Sequence, residues 1–253
     1  MSRDAFHLDG QLAVVTGGGT GLGLGICQAL TDAGARVVIT GRRETVLKQA
    51  CAQLGETARY IQHDITDLPT IPAFVEDVET RVGPISILVN NAGNHLKKPA
   101  TEVSDAEFAT VLQTHLFGAV ALTRECARRM VTRRRGCIVM IASMAALFGI
   151  PQVSAYTAAK SALAGLARSL TVDLAPHGVR VNAVAPGWFD TALSRRNFEG
   201  DLRRKEKILD RTPLGTLGEV SDVGYAVVYL CSPAAKFVTG VVLPVDGGIS
   251  IGF

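Results

Sequence analysis

Tyr156 and Lys160 lie in the segment Tyr156-Thr-Ala-Ala-Lys160. On a helix, positions i and i+4 share one face, so a phenol and an ammonium at this spacing can act together. A free tyrosine has a pKa of about 10 and is a poor base at neutral pH. A neighbouring cation favours phenolate. A drop of about two units, worth roughly 3 kcal/mol, would bring Tyr156 into the range useful for general acid–base chemistry. Ser143 follows the apolar run Cys137–Ala142 and so falls at the carboxyl end of a strand. That edge is where open α/β sheets bind ligands. The Ser143 hydroxyl could hydrogen-bond a substrate carbonyl oxygen beside Tyr156, or it could cap a turn.

A second constellation binds rather than reacts. Gly17, Gly18, Gly19, Thr20, Gly21, Leu22 and Gly23 leave an apolar strand and open a helical pattern. Glycine lets the backbone turn tightly and approach a pyrophosphate, and the helix N-terminus offers unpaired N–H groups to the anion. The spacing is GxxxGxG rather than the general GxGxxG. After the second strand comes Thr40-Gly41-Arg42-Arg43, with no carboxylate. An acid there would bind the adenosine ribose and repel a 2′-phosphate, whereas an arginine can hold that phosphate bidentately. NADP(H) is therefore the expected cofactor, with NAD(H) possible. Arg42 is the favoured partner; the alternative makes Arg42 and Arg43 surface residues that start the next helix.

These residues need elements to position them. Leu12–Thr16, Arg36–Thr40, Ala58–Gln62, Ile85–Asn90, Cys137–Ala142, Arg180–Val184 and Val241–Val245 read as strands. Between them, Ile26–Ala33, Ile71–Arg81, Asp105–Arg133, Ala155–Ala175 and Val220–Leu230 carry helical spacing. The alternation predicts a Rossmann-type α/β fold: a doubly wound parallel sheet of about seven strands with helices on both faces. No linker or repeat divides the 253 residues, so one domain spanning 1–253 is expected. The long irregular region, Trp188–Leu217, is expected to be a substrate loop.

Composition excludes other classes. Hydrophobic residues are 47% and charged residues 19% of the chain, enough for a sizeable core. A net charge of +3 is too small to argue for nucleic acid. The run Arg133-Arg134-Arg135 follows a helical pattern and reads as a solvated helix end favoured by the dipole. The cysteines at 27, 51, 126, 137 and 231 show no CxxC spacing, which suits free, mostly buried thiols in a reducing compartment. There is no signal core and no membrane-length apolar run, so a soluble cytoplasmic protein is expected.

Taken with Asp64, Asn90-Asn91-Ala92-Gly93, Pro186-Gly187, Thr191 and Asp246-Gly247-Gly248, these motifs resemble the short-chain dehydrogenase/reductase family over essentially the whole chain. The resemblance implies roles. Tyr156 would be the acid–base residue, Lys160 would bind the nicotinamide ribose and lower the tyrosine pKa, and Ser143 would orient substrate. Asp64 and Ile65 would hold the adenine. Asn91, Ala92 and Gly93 would lie along the cofactor. The stretch Pro186–Thr191, including Gly187 and Phe189, would meet the nicotinamide carboxamide. Asn90 could instead only tie strands together, and Asp246 could only shape a turn. A homotetramer is the family's common assembly, and the apolar stretch Ile249–Phe253 suits an interface.

One position departs from the family. His115 fills a slot in Thr114-His115-Leu116-Phe117-Gly118 where relatives carry an asparagine that holds a relay water for the active-site lysine. Imidazole both donates and accepts and titrates near neutrality, so His115 could serve the relay or weaken it. If it serves the relay, an acidic limb near pH 6–7 that His115→Asn lacks is expected in the rate profile; a core histidine would give identical profiles.

Within the family, Asn91 through Pro99 and Arg211-Thr212-Pro213-Leu214 resemble gluconate 5-dehydrogenase-like sugar-acid enzymes. His95, Lys97 and Lys98 could attract a carboxylate, with Arg195, Arg196, Arg203 and Arg204 adding positive charge. Trp188 is also placed at the substrate. The reaction expected is alcohol–ketone interconversion on a small molecule, a sugar acid or polyol. The alternatives are a 3-oxoacyl-carrier-protein reductase and, from another class, a catalytically impaired dinucleotide-binding sensor or scaffold.

Overall fold

The structure, a computed structural model, describes residues 3–191, 194–195, 198 and 201–252. Its strands are β1 (Leu12–Thr16), β2 (Arg36–Gly41), β3 (Ala58–Gln62), β4 (Ile87–Asn90), β5 (Gly136–Ile141), β6 (Val179–Pro186) and β7 (Val242–Val245). They form one sheet in the order β3-β2-β1-β4-β5-β6-β7, every pair parallel. The chain winds outward from β1 to β3, then returns to β4 and winds the other way. That reversal opens a crevice at the carboxyl ends of β1 and β4.

Alternate strand residues feed two cores, as the period-two geometry of a strand requires. Val15, Ile39 and Val139 face α1 (Gly21–Asp32), α2 (Glu44–Leu54) and a late helix, α8 (Val220–Cys231), which contribute Ile26, Leu47 and Val227. Val14, Leu88 and Ile138 face α3 (Ile71–Arg81), α5 (Gly118–Arg133) and α6 (Ser154–Leu174), which contribute Val75, Leu122 and Leu163. Burial on both faces explains why the central strands β1, β4 and β5 read as nearly unbroken apolar runs, whereas the edge strand β3 carries Arg59 and Gln62. The helices α1 and α8 approach closely. A Cβ on Gly224 would stand 2.6 Å from the Ala29 Cβ and 2.9 Å from the Gly25 carbonyl oxygen.

Several expectations change: α1 begins at Gly21 rather than Ile26, β6 runs on to Pro186, and α2 is a helix beyond those expected. Asp105–Arg133 is not one helix: α4 (Asp105–Leu112) passes into a π-helical turn, Gln113–Phe117, before α5 begins. Helical periodicity is nearly the same on both sides of such a widened turn, so the pattern hides it. The region 188–217 is not irregular throughout, because it contains α7 (Leu202–Arg211), opened by the Asp201 carboxylate accepting from the Arg204 N–H at 3.0 Å. Its dense charge conceals the inward face. Finally, β4 starts at Ile87 rather than Ile85. The Ile85 N–H bonds the Glu79 carboxylate at 3.0 Å and its carbonyl accepts from Arg133 at 2.7 Å, so Ile85 pairs with helices instead of the sheet.

The basic run ends α5. Arg134 is the left-handed C-cap, φ 49°, and donates to the Pro176 carbonyl at 3.1 Å. All five cysteines are free, and Cys27, Cys126, Cys137 and Cys231 are buried. No helix among the described residues is long and apolar enough to cross a membrane. At the C-terminal end Ile249 is buried while Ile251 is exposed, and Phe253 lies outside the described residues.

Candidate active site

The glycine turn sits between β1 and α1, at the sheet's switch point. Gly17 has φ +66°, a backbone that side chains disfavour. A Cβ on Gly21 would meet nothing within 4 Å, so the mouth of the turn is open. The N-cap Thr20 makes no side-chain cap hydrogen bond, and the first turn of α1 has no acid. The helix end therefore presents N–H groups and positive dipole to solvent, which suits a pyrophosphate. Across the crevice Asn91 donates its side-chain amide to the carbonyls of Thr16 at 2.9 Å and Gly17 at 3.3 Å. The Thr16 hydroxyl accepts from the N–H groups of Asn91 and Ala92 at 3.0 and 2.9 Å. Asn91 thus staples the turn to the loop after β4, with Thr16 as a partner that its strand position gave no reason to single out. Asn90 ties strand to helix, donating to the Thr123 hydroxyl at 2.9 Å.

Leu22 packs against the core beneath the turn, and Gly19 faces Val46, where a Cβ would come within 3.0 Å. Arg42 is exposed; its carbonyl accepts from Gln62 at 2.7 Å, and its guanidinium lies close enough to influence Asp64. Arg43 is the N-cap position of α2. Burial alone would raise the Asp64 carboxyl, but the Thr66 N–H and hydroxyl, at 2.9 and 2.8 Å, and Arg42 hold it below its usual value. Ile65 is buried against Gly118 of α5.

Ser143, Tyr156 and Lys160 converge at the carboxyl end of β5. Ser143 caps a short 3-10 turn (Met144–Ala146), its oxygen accepting from the Ala145 N–H at 3.1 Å. The capping reading of this serine is thus observed, and its hydroxyl also stands beside the Tyr156 phenol. Lys160 is 4% exposed and donates to the Ile141 carbonyl at 2.6 Å. Its ammonium lies 5.5 Å from the Tyr156 ring centroid. The expected lowering of the tyrosine pKa is not what this geometry gives. Burial raises the phenol, and the Ser143 hydroxyl only partly opposes it. Burial also lowers Lys160 to about 7, so the lysine is a weak source of positive charge near neutrality.

His115 lies on the π-helical turn, buried. Its Nε2 is 2.8 Å from the Asn94 carbonyl and 3.1 Å from the Asn94 N–H, so either neutral tautomer finds a partner. Nδ1 is buried without a partner. The ring meets Tyr156 edge-on, centroids 5.4 Å apart. Gly93 makes room for it, since a Cβ there would overlap the imidazole. Burial first, then the charges of Lys160 and His95, push His115 down to about 3 against the Asn94 bond. The expectation that it titrates near neutrality, with its acidic limb at pH 6–7, is therefore overturned.

The rim carries the remaining residues. His95 meets Tyr156 edge-on at 5.7 Å. Burial, then Arg204 and Lys97, lower its pKa. Lys97 is exposed, whereas Lys98 pairs with Glu107 at 3.0 Å and Arg195 with Asp190 at 2.9 Å. Arg196 lies outside the described residues. Pro186 ends β6, and the Gly187 N–H bonds the Val245 carbonyl at 2.9 Å. Trp188 is half-buried beside Phe198, while the Phe189 side chain turns into the core. Thr191 exchanges hydrogen bonds with Ser194, its N–H donating at 2.8 Å. Asp246 accepts from the N–H groups of Gly248 and Ser250 at 2.9 and 3.0 Å, shaping the final turn. Two cavities, of about 420 Å³ on α5 and about 180 Å³ near Arg180, contain none of the predicted site residues.

A parallel sheet with a glycine turn at its switch point and a Ser–Tyr–Lys cluster at β5 defines a dinucleotide-dependent oxidoreductase scaffold. A family model described as enoyl-(acyl carrier protein) reductase matches residues 17–250. Galactitol 2-dehydrogenase (L-tagatose-forming) of Cereibacter sphaeroides is 40% identical over 252 residues, 98% of each chain. Gluconate 5-dehydrogenase of Gluconobacter oxydans is 36% identical over 251 residues, again 98% of each. The crystal structure of a gluconate 5-dehydrogenase from Burkholderia cenocepacia in complex with NADP and tartrate superposes with a TM-score of 0.93 at 33% identity, covering 99% of both chains. The chain belongs to the short-chain dehydrogenase/reductase family. It is an oxidoreductase that interconverts CH–OH and C=O groups with a nicotinamide dinucleotide.

Because His115 stays neutral down to about pH 3, wild type and His115→Asn should give rate profiles of one shape from pH 5 to 9. Steady-state kcat across that range checks this. An acidic limb near pH 6–7 found only in wild type would contradict it.

Proposed function

We propose that the protein oxidises a secondary alcohol of a sugar acid or polyol, or reduces the matching ketone, with NADP(H) preferred. The convergence of Ser143, Tyr156 and Lys160 at one strand end carries the reading. In this reading Tyr156 gives a proton to the carbonyl oxygen, or takes one from the hydroxyl, while Ser143 hydrogen-bonds the same oxygen. A raised phenol pKa keeps Tyr156 protonated at neutral pH, which suits its role as the acid in ketone reduction. Lys160, near 7, can exchange the proton that Tyr156 loses or gains. His115, neutral, holds Asn94 in place and braces the Tyr156 ring.

The nicotinamide, when bound, carries the hydride. The glycine turn and the open end of α1 suit the pyrophosphate, Asp64 and Ile65 the adenine, and Asn91 to Gly93 the path between. Pro186 to Thr191 suit the carboxamide and Lys160 the ribose. Arg42, exposed and near Asp64, suits the 2′-phosphate; solved relatives with NADP support this choice. The substrate meets His95, Lys97 and Trp188. The free, buried thiols support a reducing compartment such as the cytoplasm. We further read 1–253 as one catalytic domain with its substrate loop at 188–217, assembled as a homotetramer, with neither nucleic acid nor membrane as a partner.

Tyr156→Phe should lower kcat by at least ~100-fold, the scale of a general acid, and leave NADPH affinity nearly intact. Turnover of a panel of sugar acids, polyols and β-keto thioesters, with fluorescence titration of NADPH, measures both. Activity within a few-fold of wild type would sink the mechanism.

Arg42→Ala should weaken NADPH by about 1.5–3 kcal/mol, the scale of a charged hydrogen bond, and barely change NADH. Equal losses in the two titrations would show that Arg42 does not read the phosphate.

A further inference from the structure

The inner face of α7 holds Arg204, Ile208 and Arg211, at i, i+4 and i+7. Ile208 is buried in a small cluster with Met144, Phe198 and Ile249. Met144 is the residue after Ser143, so this helix is seated directly on the catalytic segment. The Arg204 guanidinium lies over the Trp188 ring, 5.4 Å from its centroid. Trp188 in turn follows the Pro186-Gly187 segment that ends β6.

The basic residues near the site differ in what holds them. Lys98 and Arg195 are neutralised by Glu107 and Asp190. Arg211 lies over Phe148 at 4.6 Å, on the far end of the helix. Arg203 is exposed, one residue from Arg204 but on a different face. Arg204 alone combines an aromatic support with a position that His95 senses. Among the described residues, no carboxylate lies within ion-pair distance of Arg204. His95 in turn touches Tyr156. A guanidinium resting over an indole face uses a cation–π contact rather than a carboxylate for support, so its N–H donors are left for a carboxylate, which it can meet bidentately.

We propose that Arg204, braced on Trp188, is the specificity residue of this site: it binds the carboxylate of a polyhydroxy acid and so selects acids over neutral polyols. The proposal rests on the dehydrogenase reading and narrows its substrate class.

Its test compares D-gluconate with galactitol, each assayed with NADP⁺. Wild type should favour gluconate in kcat/KM. Arg204→Gln should shift the gluconate-to-galactitol ratio toward galactitol by about 10-fold or more, the lower range for a lost charged contact. The shift should fall mainly on the gluconate KM. Arg204→Lys should recover part of it, since a point charge remains. Arg203→Gln removes the same charge from a different face and should move the ratio by less than about 2-fold. An unchanged ratio in Arg204→Gln, or an equal shift in Arg203→Gln, would overturn the role of Arg204 while leaving alcohol oxidation standing. A wild type that favours galactitol over gluconate would likewise overturn the role of Arg204, whereas failure to oxidise any sugar acid or polyol of the wider panel would overturn the dehydrogenase reading itself.

Discussion

The bond from the Lys160 ammonium to the Ile141 carbonyl, 2.6 Å long and buried, is the constraint around which the site is built. It joins α6 to the last residue of β5, two residues before Ser143. The same bond fixes the rotation of α6, and with it the position of Tyr156 one turn earlier. A lysine inside a protein tends to shed its charge, because burial disfavours the ammonium. Here that drives Lys160 to about 7. Its folded pKa is below the unfolded value near 10.4, so the unfolded chain binds the extra proton between these limits. Stability then rises with pH across that window, and the penalty is fully present below pH 7. The fold carries this penalty at the place where a group able to gain and lose a proton near neutrality is useful.

The surroundings follow from the same constraint. A second cation could not sit beside Lys160 without further penalty, and His115 meets that condition by staying neutral. It lies buried on the π-helical turn, and Gly93 leaves space for the ring. Glycine at 93 and histidine at 115 are thus complementary in shape. The exposed positive charge is instead placed at the rim, at Lys97 and Arg203.

Much of this was legible from residue order. The apolar run Leu12–Thr16 gave a strand with the observed limits, because burial on both faces leaves almost no polar positions. Ala58–Gln62 is an edge strand that keeps Arg59 and Gln62 exposed, and its limits were legible from the flanking pattern instead. The Tyr156–Lys160 spacing placed two groups on one helix face. What stayed hidden depends on three-dimensional packing. The π-helical turn leaves the apolar period almost unchanged. The charges of α7 mask an inner face that only Met144 and Trp188 reveal. The direction of the Tyr156 shift depends on how deeply the pair is buried, which spacing alone does not report. The partnership of His115 with Asn94 joins residues 21 positions apart through a backbone carbonyl, for which side-chain identity carries no signal.

Burial against Ile141 holds Lys160 near neutrality. A heteronuclear NMR titration of the lysine side-chain Cε–Hε resonances reads this directly, with Lys160→Met assigning the signal. One lysine titrating near pH 7, and lost in that variant, is the result expected. A Lys160 resonance that titrates above about pH 10, with the ordinary surface lysines, would contradict the account.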